Sequence, residues 1–131
     1  LSDHVRLLGQ MDGLKLRLWY SAADLFVLAS VSEAFGMVLL EAMASGLPVI
    51  ASSSAACPEV VGNAGLIFNR EDYNSLARKI MRLASDDELS RILRNRSLRR
   101  VRKVFSWEDK VDKYWKLYRE TVGEGITVDS R

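Results

Sequence analysis

Three short, continuous apolar runs alternate with helix-like segments, and this alternation constrains the fold more than any other feature of the sequence. The runs are "DLFVLAS" (24–30), "LPVIAS" (47–52) and "AGLIF" (64–68), and none of them alternates apolar with polar residues. Strands of parallel sheets that are covered by helices on both faces have this pattern. The alternation therefore predicts an α/β fold with a parallel sheet, right-handed crossovers and helices on both faces.

Two segments near the start of the chain are less clear. "HVRLLG" (4–9) is a further candidate for a buried strand. "LKLRLWY" (14–20) fits two structures: its leucines alternate with basic residues as in a strand, whereas Leu14, Leu18 and Ala22 would share one face of a helix. The pattern alone leaves both interpretations of this segment open.

The segments between and after the strands predict helices. "MVLLEAMASG" (37–46) predicts a helix that ends at Gly46, where a glycine can adopt the left-handed conformation. Pro58 suits the first turn of a short helix. After Asn69 only helical patterns remain. The apolar face of the first of these helices consists of Leu76, Ala77, Ile80, Met81, Leu83 and Ala84.

Two capping signatures predict where the last two helices begin. In each, a serine precedes an acidic residue by three positions: Ser85 with Glu88, and Ser106 with Asp109. The last helix presents Trp107, Val111, Trp115 and Tyr118. Because they recur at helical spacing, we predict that they are core side chains rather than a sugar-stacking platform, with an exposed, self-associating face as the alternative.

The length and composition predict one domain. We assign residues 1–122 to it and predict that residues 123–131, which lack an apolar pattern, form a flexible tail. The net charge of +2 gives no argument for a nucleic-acid partner. The single cysteine, Cys57, rules out an internal disulfide and predicts a reducing, cytoplasmic location. No apolar run approaches the roughly 20 residues that span a bilayer.

Other chemically distinctive residues have simpler interpretations. Ten basic residues lie between Arg78 and Lys103, and we predict a solvated helical face because no aromatic residues interleave for base stacking. Peripheral association with the cytoplasmic face of a membrane is the alternative. His4, the only histidine, is predicted to lie at the surface, and Cys57 to be a passive thiol without a neighbouring base.

Two glutamates flank the predicted start of the helix at 37–46. Gly36 would let a ligand approach the free N–H groups of the first turn, which attract an anion such as phosphate. Glu33 lies on the preceding loop, and Glu41 lies about 7 Å along the helix axis from the predicted phosphate position. Carboxylates on both sides of a phosphate group would accept hydroxyls, and a nucleotide sugar has hydroxyls in both places.

A simpler interpretation of the same pair stays open. Glu33 would then be a helix-terminal acid that interacts with the helix dipole, and Glu41 a solvated helix residue. Against this, Glu41 stands between Leu40 and Ala42 in an otherwise apolar helix, where a charge needs a partner or a water-filled cleft.

The chain resembles the retaining glycosyltransferases of family 4, which have the GT-B fold with Rossmann-like domains. The stretches that carry the resemblance are "SEAFGMVLLEAMASGLPVIAS" (32–52), "LWYSAADLFVLAS" (18–30), "PEVVGNAGLIF" (58–68) and "FSWEDKVDKYWKLY" (105–118). It extends from Val5 to Tyr118 and resolves the ambiguous segment at 14–20 as a helix. The resemblance implies the later part of a C-terminal domain that binds a nucleotide-sugar donor.

The resemblance also implies roles for individual residues. Glu33 would accept hydroxyls of the donor sugar and is the predicted catalytic residue, while Glu41 would hold the ribose hydroxyls. Main-chain N–H groups at the start of the helix would contact the sugar and the diphosphate. The predicted donor-binding residues are Glu33, Phe35, Gly36, Met37, Val38 and Glu41.

The implied reaction transfers a sugar from a nucleotide-diphosphate sugar to a hydroxyl with retention of configuration, with no cofactor and no metal expected. The acceptor, a glycan, a lipid-linked molecule or a small molecule, would bind an N-terminal domain that precedes this chain, and we expect the chain alone to be inactive. The alternatives are another GT-B enzyme, a phosphorylase or a nucleotide-sugar epimerase, and a non-catalytic GT-B binding module. Ala55, Ala56 and Cys57 replace a glycine pair common in the family, which leaves the conformation of the 52–57 loop open.

Overall fold

The computed structural model describes residues 2–122, so the predicted tail at 123–131 lies outside the described residues. A short 3-10 helix, Ser2–His4, comes first. The remaining elements are α1 (Gly13–Ala22), β1 (Phe26–Leu28), α2 (Met37–Ala44), β2 (Val49–Ser52), α3 (Cys57–Val61), β3 (Gly65–Phe68), α4 (Tyr73–Ser85), α5 (Asp87–Val104) and α6 (Trp107–Val122).

The three strands form one parallel sheet in the order β1-β2-β3. The central strand, β2, is buried along its whole length, which explains its continuous apolar sequence. Its side chains alternate between the two faces: Val49 and Ala51 join one core cluster, and Ile50 joins the other. The predicted parallel sheet with helices on both faces is therefore confirmed, and so are the three predicted strands.

Each face of the sheet is covered by its own helices. The first cluster combines β2 with α1, α2 and α3, and its fully buried members include Leu39, Met43 and Val60. The second cluster combines Ile50 and Phe68 with α4 and α5. The first cluster lies beneath the start of α2, where the two glutamates are.

The predicted strand at 4–9 is wrong. Residues 5–9 have no regular secondary structure, and Leu7 is 96% exposed. A strand is stable only when a neighbour accepts its main-chain hydrogen bonds, and no strand among residues 2–122 pairs with this segment.

The ambiguous segment at 14–20 is helical, within α1, but the helix buries a different face from the one proposed above. Leu16 and Tyr20 pack into the core, whereas Leu14 and Leu18 are exposed. The helix begins after Asp12, whose side chain accepts the N–H of Lys15 at 2.9 Å. Tyr20 determines the buried face because its ring packs edge-on against the ring of Phe26 in β1.

The helical C-terminal part is confirmed, with two corrections of detail. Asp86, not Ser85, caps α5, and its carboxylate accepts the N–H of Leu89 at 2.8 Å. Ser85 instead ends α4. In α4 the buried face is narrower than predicted, because Ala77, Met81 and Ala84 are exposed and only Leu76, Ile80 and Leu83 pack inward.

The prediction that the aromatic residues of α6 are core residues is wrong. No described side chain of α6 is buried, and Trp107 is 76% exposed. The capping prediction holds more weakly, since the N–H of Asp109 lies 3.5 Å from the Ser106 hydroxyl. None of the helices within residues 2–122 combines the length and the apolar character needed to cross a membrane.

Part of the basic run makes structural contacts. Arg91 forms an ion pair with Glu88 at 2.7 Å. Arg100 donates to the main-chain oxygen of Val60 at 2.8 Å, at the last turn of α3, where the helix dipole favours a cation. These contacts fit a solvated helical face whose arginines also attach α5 to its neighbours.

Candidate functional site

The candidate site lies at the carboxyl edge of the sheet, where the loops after the three strands meet. Ligands of open parallel sheets bind at this edge. The loop after β1 is fixed by the hydroxyls of β2 and its following loop: Ser52 donates to the oxygen of Ser30 at 2.6 Å, and Ser54 donates to that of Val31 at 2.8 Å. Both serines are buried, so the loop that leads to α2 is attached to the sheet.

Gly36 is the residue from which α2 begins. It has a φ of +82°, in the left-handed region, and as a glycine it offers no side chain of its own to cap the helix. A Cβ at this position would lie 3.1 Å from a methyl group of Leu39. The N–H groups of Met37 and Val38 fall in the first turn, where an α-helix offers them no acceptor. Main-chain donors without a helical acceptor therefore lie next to a residue that has no side chain.

Glu33 reaches back over this turn. Its Oε1 accepts the N–H of Gly36 at 3.0 Å, and the side chain is half-buried. The carboxylate thus accepts the hydrogen bond of the Gly36 N–H, which is one of the main-chain donors predicted to contact a ligand. This is the contact expected of the helix-terminal acid proposed as the simpler interpretation.

Two neighbours complete this end of the site. Burial and the charge of Glu33 raise the pKa of the Cys57 thiol, which keeps it protonated at neutral pH. The ring of Phe35 packs edge-on against Phe105, with 6.2 Å between ring centroids, and connects the loop to the end of α5. Phe35 and Met37 both retain exposed side chains.

Glu41 lies on the second turn of α2 at the edge of a cleft of about 460 Å³ between α1 and α2. Arg17 and Ser45 also line this cleft. The Tyr20 hydroxyl donates to Oε2 of Glu41 at 3.1 Å. The charged residue in an apolar helix therefore has both features that the sequence suggested for it, a partner and a cleft.

The tyrosine is buried and titrates late. Burial, then the hydrogen bond to Glu41 and its negative charge, raise the pKa of Tyr20 to about 12. The phenol is therefore neutral at physiological pH and can act as a hydrogen-bond donor to the carboxylate.

Sequence reasoning missed two residues of this region, Tyr20 and Arg70. The main-chain N–H of Arg70 donates to the Ser53 hydroxyl at 3.1 Å, and its guanidinium lies 3.4 Å from the oxygen of Val31. Arg70 thus connects the loops after all three strands. Tyr20 could have been found from the helical interpretation of α1, because a buried tyrosine usually finds a partner for its hydroxyl.

The described side chains do not form a metal site. Within residues 2–122 no group of three or more histidine, cysteine, aspartate or glutamate side chains is close enough to hold a metal ion. The site consists instead of main-chain donors at a helix start, two carboxylates, a phenol and an open cleft.

Known proteins are similar to this chain in sequence. The profile of the family described as "Glycosyl transferases group 1" matches residues 1–86. The O-antigen chain mannosyltransferase B of Escherichia coli is 39% identical over 105 residues, which cover 80% of this chain and 27% of that protein. The chain thus spans about a quarter of this curated relative.

Solved structures are also similar to the chain. Sucrose-phosphate synthase from Thermosynechococcus elongatus has a TM-score of 0.84 at 37% identity, over 93% of this chain and 31% of that one. The C-terminal domain of a group 1 glycosyl transferase from Francisella tularensis has a TM-score of 0.68 at 30% identity, over 79% of this chain and 53% of that one. The sheet, its flanking helices and the helical C-terminal end match GT-B glycosyltransferases.

Proposed function

The chain belongs to the group 1 glycosyl transferases, and we propose that it forms the donor-binding part of a retaining enzyme of family 4. The full protein transfers a sugar from a nucleotide-diphosphate sugar to a hydroxyl acceptor. The acceptor binds to a domain outside this chain, and the remaining catalytic groups belong to that domain. The similarity to a solved C-terminal domain of the same group supports the assignment of donor and acceptor binding to different domains.

The observation that carries the proposal is the pair of carboxylates on either side of the first turn of α2. Glu33 lies at the helix start, and Glu41 lies in the cleft. A diphosphate bound at the first turn would have its sugar beside Glu33 and its ribose beside Glu41. Uncharged hydroxyl groups, rather than a second anion, suit both carboxylates.

The first turn of α2 supplies the chemistry that this half of the reaction needs. When the bond between the anomeric carbon and the diphosphate breaks, negative charge develops on the leaving oxygen. The acceptor oxygen bonds to the same carbon, and the proton of the acceptor hydroxyl passes to the leaving diphosphate. The N–H groups of Met37 and Val38, with the helix dipole, are placed to stabilise that charge without rearrangement. Glu33 holds the sugar hydroxyls so that the anomeric carbon stays oriented toward the acceptor.

The test is a binding experiment on isotope-labelled chain. Uridine, guanosine and adenosine diphosphate sugars are titrated separately while the amide resonances of Phe35 to Val38 are followed by NMR. We expect selective shifts with one nucleotide. Glu41→Ala should weaken that binding at least about tenfold, as expected for the loss of hydrogen bonds to a charged group.

The control variant is Glu120→Ala, on α6, which removes an exposed glutamate whose nearest cation, Lys116, is 3.9 Å away. It should bind the donor as the wild type does. An equal loss in both variants would mean that the shifts report non-specific charge, and no shifts with any of the three sugars at millimolar concentration would count against the donor site.

A further inference from the structure

The Glu41 carboxylate has a partner inside the protein. The Tyr20 hydroxyl donates to Oε2 at 3.1 Å, and this bond joins α1 to α2 across 21 residues of sequence. No other hydrogen bond to this carboxylate occurs within residues 2–122. Oε1 and the second lone pair of Oε2 therefore remain available to a ligand.

Tyr20 is itself held firmly. Its side chain is only 7% exposed and belongs to the core cluster beneath α2. Its ring packs edge-on against Phe26 of β1, with 5.8 Å between centroids. The hydroxyl is therefore fixed relative to the sheet, whereas Glu41 is an exposed residue on the rim of the cleft.

We propose that Tyr20 is a positioning residue of the donor site: its phenol holds the Glu41 carboxylate in the orientation that receives the paired 2′- and 3′-hydroxyls of the ribose. This inference rests on the proposed function. A free glutamate would lose side-chain freedom on binding, and that loss costs affinity. The bond to Tyr20 removes the freedom before the ligand arrives, so part of the affinity depends on a residue that does not touch the nucleotide.

The experiment measures affinities of the chain for UDP, GDP and ADP by calorimetry, and for the 2′-deoxy form of whichever binds most tightly. The variants are Tyr20→Phe, Glu41→Ala and the double variant. Tyr20→Phe keeps the ring and its packing. We expect it to weaken the ribonucleotide about five- to tenfold, an effect of about 1 kcal/mol on conversion. The loss should be smaller for the 2′-deoxynucleotide and absent when Glu41 is already alanine.

Ser21→Ala is the matched control, because Ser21 also lies on α1 and, among residues 2–122, its hydroxyl donates only to the oxygen of Arg17. It should leave the affinity unchanged. Melting temperatures show whether each variant is folded, so a loss caused by unfolding is separated from a loss of positioning.

Three results would overturn the inference. A Tyr20→Phe effect that persists undiminished in the Glu41→Ala background would mean that the phenol acts independently of the carboxylate. An affinity unchanged by Tyr20→Phe would overturn the positioning role alone and leave the donor site in place. A wild-type chain that binds none of the three nucleotides would overturn the proposed donor site and this inference with it.

Discussion

The two ends of the site on α2 are built in different ways. At the helix-start end, the donors are main-chain N–H groups, and Gly36 with its φ of +82° arranges them. At the cleft end, the group proposed to bind the ligand is the side chain of Glu41, and the Tyr20 hydroxyl donates to it from another helix. One end depends on the conformation of a loop, and the other on packing between residues distant in sequence.

The difference teaches how each end tolerates change. Main-chain donors do not depend on which side chains surround them, but they require the conformation of Gly36, which few residues can adopt. A side-chain acceptor such as Glu41 can be replaced without disturbing the fold, but it loses its orientation when a distant partner such as Tyr20 is changed. The following predictions test this contrast, with the largest expected effect first and the smallest last.

Gly36→Ala should damage the helix-start end most. Alanine in the left-handed region and a Cβ 3.1 Å from Leu39 should together lower the free energy of unfolding by about 2–4 kcal/mol. Because the main-chain donors would move, binding of the donor should be lost in the folded fraction. Urea unfolding and the NMR titration measure the two effects.

Gly46→Ala separates backbone strain from damage to the site. Gly46 also has a positive φ, +77°, but a Cβ there meets Leu98 only at an ordinary 3.7 Å. It should lose about 1–2 kcal/mol of stability and keep donor binding. Loss of binding in both glycine variants would show that the site follows global stability rather than the conformation at Gly36.

The sequence predicted the parts of the fold that depend on local patterns. The three strands are continuous apolar runs, and α2 ends before Gly46 as its C-terminal signal indicates. The errors occur where the structure of a segment depends on packing or pairing partners from elsewhere in the chain. The run at 4–9 is apolar enough for a strand, but no described strand accepts it. The aromatic face of α6 has helical spacing, but none of its described side chains is buried.

The candidate site divides in the same way. Glu33, Gly36 and Glu41 could be predicted from the sequence because all three lie within one stretch of nine residues around a helix start. Tyr20 was missed because its role depends on a contact across 21 residues, which a pattern in one segment does not contain.

The loop at 52–57 shows a third limit. Ala55 has a φ of +39°, a left-handed value that a glycine would adopt without strain, in the segment where the family resemblance implies a glycine pair. The loop therefore has a left-handed residue at a position where alanine is unfavourable. Its buried neighbour Ser54 provides a reason, since its hydroxyl binds the oxygen of Val31. Local preference alone could not predict this outcome.

The cleft end has a pH signature that depends on the phenol of Tyr20. The pKa of Tyr20 is raised from 10.0 to about 12 in the folded protein. The neutral phenol is therefore favoured by folding, and its contribution is fully present below pH 10 and is lost as pH rises from 10 to 12. The lost stability should be about 2–3 kcal/mol.

Urea unfolding between pH 8 and pH 12 measures this effect as the difference between wild type and Tyr20→Phe, which should narrow above pH 10. Tyr73→Phe is the control, because Tyr73 is 82% exposed and should show no such difference. If wild type and Tyr20→Phe lost stability in parallel across this range, burial and the neighbouring Glu41 would not raise the pKa of Tyr20 as the structure indicates.

The smallest expected effect separates the loop contact of Glu33 from its proposed role as a sugar-binding group. Glu33→Gln keeps an oxygen that can accept the N–H of Gly36 but removes the charge, whereas Glu33→Ala removes both. We expect Glu33→Gln to weaken binding of the nucleotide sugar about fivefold, or about 1 kcal/mol, and to leave binding of the nucleoside diphosphate unchanged, because only the sugar would contact this carboxylate.

Glu33→Ala should weaken binding of both ligands, since the loop that arranges the main-chain donors loses its anchor. Calorimetry with each ligand, alongside the Gly36 amide resonance, distinguishes the cases. An equal loss of both ligands in Glu33→Gln would mean that Glu33 acts only through the helix start, and Glu41 would then be the one carboxylate of the pair that recognises the donor.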